Sequence, residues 1–182
     1  LVIIMLRGID RNSSPSWIHN KKLNIMNEEV RKLQPAALWN YFADINAVPR
    51  PSKKEERIIQ FMKQIGEKLG PFDLTMIEVG QYNRSWPDWH IGPEQAVKAH
   101  RWVRGRVMLP VHWGLFVLAA HSWTEPVERV SKEAERMKVT IATPRPGQSF
   151  EPVKPPQEKW WPHVAWQTGQ EHPIQSTQVE EN

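Results

Sequence analysis

The chain has 182 residues, with 24 lysines and arginines against 20 aspartates and glutamates, a formal net charge of +4. That length bounds it at about one domain, or one plus a fragment, and a basic excess this small and unclustered argues against nucleic-acid binding. Having no cysteine excludes disulfide scaffolds, Cys-ligated zinc, iron–sulfur clusters and thiol catalysis, so any metal must be held by His, Asp or Glu.

Residues 1–25 open on a short apolar run, Leu1 to Leu6, far below the roughly 20 residues that a membrane span needs. The run lacks a basic region before it and a small-residue cleavage site after it, so no secretory signal is expected. No sustained period follows through Asn12-Ser13-Ser14-Pro15 and Lys21-Lys22, and this segment is expected to be a disordered or non-native leader. Met26-Asn27-Glu28-Glu29 reads like a natural start.

Between Met26 and Leu69 the pattern is helical. Pro35 introduces Ala36, Leu38, Phe42 and Ile45, one apolar face at helical spacing. Val48-Pro49-Arg50-Pro51 breaks the pattern, because each proline removes a backbone donor and restricts its predecessor. Ser52 and Glu55 have the spacing of a capping box, and behind them Ile58, Ile59, Phe61, Met62, Ile65 and Leu69 form the buried stripe of an amphipathic helix. Gly70-Pro71 ends it.

The period then changes. Phe72 to Val79 predicts a strand closed by Gly80, Pro93 starts a helix running to Val103, and Arg106 to Val111 predicts a second strand ending in His112-Trp113-Gly114. Thr124 is placed to cap a helix through Met137, and Val139 to Ala142 predicts a third strand. Strand, helix, strand, helix, strand is an α/β order, most easily built with parallel strands. From Thr143 the chain is Pro-rich and carries Trp160, Trp161 and Trp166, so it is expected to run extended over a surface through its indoles. Three strands and two helices make half of an α/β domain, which would leave sheet edges or one face in need of cover.

Among the titratable residues His112 stands out, at the C-terminal end of a predicted parallel strand, where open α/β sheets build their sites. His90 lies just before a helix start, a place suited to an anion. On position alone, a capped or surface role fits either histidine. His100 reads as packing or surface, while His121, His163 and His172 fall in loop or tail without metal-ligand spacing. No nucleophile elbow, phosphate-binding loop or dinucleotide fingerprint is present. The carboxylates Glu55, Glu56, Glu133 and Glu135 read as exposed partners of helix cations.

Three blocks carry a resemblance: Phe72-Asp-Leu-Thr-Met-Ile-Glu-Val-Gly-Gln-Tyr82, Trp89-His90-Ile-Gly-Pro-Glu-Gln-Ala-Val-Lys-Ala-His100, and Leu109-Pro-Val-His-Trp-Gly-Leu-Phe116. Over about residues 66–165 the chain resembles the C-terminal third of metallo-β-lactamase-fold hydrolases, closest to the N-acyl-phosphatidylethanolamine phospholipase D-like branch. The resemblance implies that His112 is the last zinc ligand and that His90 lies near the substrate phosphate or carbonyl. It assigns no role to His100. It further implies zinc as cofactor, a phospholipid-like or phosphodiester substrate, and a metal-held hydroxide that attacks it. The family's His-x-His-x-Asp-His cluster, its next His and its bridging Asp have no match, so the chain is expected to be inactive alone.

Upstream, Leu33-Gln-Pro-Ala-Ala-Leu-Trp-Asn-Tyr-Phe42 and Val48-Pro-Arg-Pro-Ser52 resemble the N-terminus of cytosolic aminoacyl-histidine dipeptidases over residues 26 to about 70, without that family's metal ligands or catalytic Glu. The two resemblances meet at Ile65-Gly-Glu-Lys-Leu-Gly70, which implies a chimera. The expected organisation is thus a leader (1–25), a helical segment (26–70), a partial metallo-β-lactamase-type αββα half-domain (71–152) and a Pro/Trp-rich tail (153–182), in a cytoplasmic protein. The alternatives are a non-catalytic interaction protein, whose exposed half-sheet docks on a partner, and a truncated dipeptidase.

Overall fold

The computed structural model describes residues 3–6, 28, 30–48, 56–86 and 89–174. Their elements are β1 (Ile3–Leu6), α1 (Ala36–Ala47), α2 (Glu56–Leu69), β2 (Phe72–Glu78), α3 (Pro93–Trp102), β3 (Gly105–Val111), α4 (Glu125–Arg136) and β4 (Thr140–Ile141). The chain divides into two units, one of Leu1–Arg7 with Met62–Asn182 and the other of Gly8–Phe61.

In the first unit the strands lie in the order β1-β2-β3-β4. β2 and β3 run parallel, from Phe72 opposite Gly105 to Glu78 opposite Val111, and β3 runs parallel to β4 with Val107 opposite Thr140. Each parallel pair is joined through a helix, since parallel neighbours cannot be linked by a tight turn. The period of two in β2 divides its side chains between faces. Thr75 meets His100 of α3 on one face. Leu74 and Met76 join Val107, Leu109, Ala142 and Phe150 in an apolar cluster on the other. The helix side is closed by Ala96, Val97 and Val103, and by Val127, Val130 and Ala134, all 1% exposed or less. Completely burying a valine-sized side chain contributes about 1.5–3 kcal/mol.

Several expectations need correction. The leader contains a strand: Ile3–Leu6 pairs antiparallel with β2, Ile3 opposite Ile77 and Leu6 opposite Leu74. Its β-branched residues suit a pleated edge, and four residues are too few to show alternation. The rest of 1–25 lies outside the described residues, as does the proposed Ser52–Glu55 capping box. Thr124 takes the N-cap position of α4, yet its hydroxyl makes no capping bond, because the backbone there is already helical (φ −94°, ψ −14°). β4 is only two residues long.

In the second unit α1 forms as expected, but Phe42 is 50% exposed and meets Trp39 edge-on with ring centroids 5.8 Å apart. The side chains of Leu38 and Ile45, expected on the same face, are outside the described set. Of the stripe predicted for α2, Ile58 and Phe61 in this unit and Met62 and Ile65 in the first are buried, while Ile59 and Leu69 are half-buried.

The segment after Thr143 has no regular structure and is held by its indoles. Nε1 of Trp160 donates to the Thr143 carbonyl (3.0 Å) and Nε1 of Trp161 to Glu128 (3.0 Å). Both rings contact Trp113, with centroids 5.6 and 5.4 Å away. The final eight residues are not described.

Candidate metal centre

Because β2 and β3 are parallel, their C-terminal ends emerge side by side. Glu78 closes the Leu74–Met76–Glu78 row of β2 opposite Val111, the residue before His112. The strand ends stay paired one step further, Val79 N–H donating to the Val111 carbonyl at 3.0 Å. There the chain comes closest: a Cβ added to Gly80 would lie 2.1 Å from the His112 carbonyl oxygen. His112 itself has left-handed backbone (φ 65°), and Gly114 (φ 82°) turns the chain away. Non-glycine residues rarely adopt that region, and they do so most often where the surroundings impose it.

His90 arrives from the loop between β2 and α3. Its ring lies 5.0 Å from that of His112, centroid to centroid, and its Nδ1 is 3.4 Å from Glu78 Oε2. The Ile91 N–H reaches Glu78 Oε1 at 3.5 Å, so the carboxylate faces the loop at two points. Glu78 is buried, His90 half-buried and His112 exposed. One donor atom from each of the three lies within 4.8 Å of the others, the group of this kind found among the described residues.

Two imidazoles and a carboxylate are a donor set suited to zinc, and three protein ligands leave room for a water or substrate oxygen. The graded exposure supports that use: the carboxylate is fixed at the base while the His112 imidazole meets solvent. The residues present therefore fit a divalent cation.

Gln81 organises the surrounding loops. It is also left-handed (φ 67°), and its side-chain amide donates to the Phe116 carbonyl (2.8 Å) and accepts from the Leu118 N–H (2.8 Å). Its backbone N–H donates to His121 Nε2 (3.1 Å), and its carbonyl accepts from Trp86 Nε1 (2.9 Å). His121 donates from Nδ1 to the Ser122 carbonyl, which fixes the neutral tautomer; burial holds its pKa below the ordinary value. The loop held by Gln81 shows an apolar surface, Leu115, Phe116, Val117 and Leu118 being 55–81% exposed. Trp89, next to His90, is 77% exposed.

The structure brings together His90 and His112, the two residues singled out in the sequence, and adds Glu78 and Gln81, which were not. An acid at the C-terminal end of a predicted strand was the available signal for Glu78. His100 stands apart, its Nδ1 2.7 Å from Thr75 Oγ1 and its ring against Gly105 at the opposite end of β3. Glu133 pairs with Arg136 three residues on, and Arg145 pairs with Glu158.

Residues 58–113 match the model of the beta-lactamase superfamily domain. An uncharacterised protein of Mycobacterium tuberculosis is 50% identical over 102 residues, 54% of this chain and 27% of that protein. An N-acyl-phosphatidylethanolamine-hydrolysing phospholipase D of Caenorhabditis elegans is 40% identical over 73 residues, 38% of this chain and 20% of the relative. A UPF0173 metal-dependent hydrolase of Symbiobacterium thermophilum is 28% identical over 78 residues, 43% of this chain and 31% of the relative. The chain spans about a quarter of the length of the mycobacterial relative. Its fold is a partial metallo-β-lactamase-type α/β half-domain, as the sequence led us to expect.

Proposed function

We propose that this chain carries the C-terminal part of a zinc-dependent hydrolase acting on phosphodiester or acyl-lipid-type substrates. The observation that carries the reading is the convergence of Glu78, His90 and His112 at the C-terminal ends of two parallel strands. His112 is the metal ligand, Glu78 adds a carboxylate to the donor set, and His90, the third donor, lies near the substrate phosphate or carbonyl that such a metal would bind. A zinc ion bound here supplies a Lewis acid and lowers the pKa of its water toward neutrality. The name of the phospholipase relative supports a phospholipid-like substrate, and so does the exposed apolar run Leu115 to Leu118 beside the site.

The chain alone lacks the remaining ligands of such centres and is inactive. The test is zinc analysis of the purified chain together with hydrolysis of bis-p-nitrophenyl phosphate and N-acyl-phosphatidylethanolamine. Bound zinc without turnover is expected. Turnover abolished by His112→Ala would overturn the inactivity, and a chain that takes up no zinc would overturn the metal assignment.

Residues 26–70 are a dipeptidase-like segment joined to this half-domain, in a chimeric and cytoplasmic protein. The β-lactamase-type match begins at residue 58 and so overlaps the shared stretch before Gly70. Among the described residues no helix is long and apolar enough to cross a membrane. Sequencing single DNA molecules of the source across codons 55–85 tests the join. Reads diverging into two genes at Gly70 support it, whereas unbroken reads refute an assembly chimera.

A further inference from the structure

We propose that Gln81 is a positioning residue for the metal centre: its side-chain amide clasps the loop after His112 and so holds that imidazole toward Glu78 and His90. The inference rests on the reading of His112 as a metal ligand.

Gln81 is buried, 6% exposed, and all four of its hydrogen-bonding groups are engaged. The side chain matches its target in kind as well as distance. Phe116 offers a carbonyl and Leu118 an N–H, and the primary amide supplies from one group both the donor and the acceptor they require. Glutamate lacks the donor, and methionine, of similar volume, lacks both.

The loop needs such a clasp. The side chains of Leu115 to Leu118 are more than half exposed, so burial contributes little to holding them in place. Upstream of them Gly114 is left-handed with open space around it, a joint that does not by itself restrain the chain. His112 therefore sits between two constraints: the strand end, where Gly80 abuts its carbonyl, and the Gln81 clasp beyond Gly114. Its left-handed backbone is a conformation that persists when the surroundings over-determine it. The same residue anchors the other histidine loop, since Trp86, four residues before His90, donates to the Gln81 carbonyl at 2.9 Å. Both imidazole-bearing loops are thus referred to one buried side chain and its backbone.

The test uses the full 182-residue chain and cobalt(II) alone as probe, followed by its visible absorption. Gln81→Met keeps the volume and removes both bonds. Leu118→Pro removes one partner N–H from an exposed position. Outer contacts that orient metal ligands typically change affinity 10–100-fold. Both variants are expected to bind cobalt at least tenfold more weakly than wild type, with altered band intensities, while retaining cooperative melting. Wild-type affinity and spectrum in Gln81→Met would overturn the proposal. Should Gln81→Met fail to fold, an unchanged spectrum in Leu118→Pro overturns it instead. A wild-type chain that binds no cobalt refutes the underlying metal assignment, which separates that failure from a failure of the clasp.

Discussion

Glu78 and His90 lie 12 positions apart in sequence, yet the buried carboxylate comes within 3.4 Å of the imidazole Nδ1. The contact follows from topology: β2 ends beside β3, and the loop returning toward α3 passes over that end. Placing His112 one residue past the neighbouring strand completes a donor set from three separate segments.

His112 occupies a backbone region that costs a non-glycine residue about 1 kcal/mol or more. Asparagine tolerates it better and keeps a polar side chain. Metal-free His112→Asn is expected to melt at or above the wild-type temperature while losing zinc binding. Calorimetry without metal checks this, and a clear drop in melting temperature would show that His112 serves the fold.

Gly80 is the closest approach between the two strand ends. A methyl group there meets backbone, the His112 carbonyl oxygen, at 2.1 Å, and backbone gives way less readily than a side-chain tip. Gly80→Ala should cost at least about 2 kcal/mol, within the range for overpacking, and should weaken metal binding by displacing His112. Urea unfolding with a parallel zinc titration measures both. Full affinity with intact stability would mean that the strand ends are not held at this spacing.

His100 gives the fold a dependence on pH. Burial, with Arg101 acting in the same direction, lowers its pKa to about 4. An unfolded histidine titrates near 6.5, so the unfolded chain takes up the proton first. Stability from this group is complete above that value and is lost as pH falls toward 4. Denaturant unfolding between pH 7 and 4 should show the decline, and His100→Gln should flatten it. An equal slope in the variant would assign the dependence to other groups.

Arg129 is 1% exposed in its side chain and donates to both oxygens of Glu94 at 2.8 Å, with Glu125 at 3.4 Å. Its guanidinium also lies 4.9 Å from the centre of the Tyr82 ring, and Tyr82 donates to Glu125 at 2.8 Å. Removing one partner of a buried charge group typically costs about 3–5 kcal/mol, because the other is left uncompensated. Arg129→Met should destabilise by that order, measured as a lower urea midpoint. A loss below about 1 kcal/mol would show that water reaches the carboxylates.

Much of this was legible in the sequence where one residue pattern decided one element. Ile58, Phe61, Met62 and Ile65 repeat at helical spacing and are buried; Pro93 opens α3; His112 stands at the strand end its neighbours predict. Contacts set by tertiary approach were not legible. Glu78 reads as one of three polar residues in its strand, with Asp73 and Thr75, and only the parallel register places it beside His112. Gln81 follows a glycine without any local sign of left-handed backbone or of partners 35 and 37 residues away. Phe42 fits an apolar face by spacing but stands half exposed. Ile3–Leu6 became a strand because β2 offered an edge, which four apolar residues cannot announce.

The most direct test of the metal centre is a zinc titration by calorimetry of the full chain beside Glu78→Gln and His112→Ala. About one zinc per chain is expected, bound at least tenfold more weakly in Glu78→Gln and not measurably in His112→Ala. Equal binding by all three, or none by the wild type, would contradict the metal assignment.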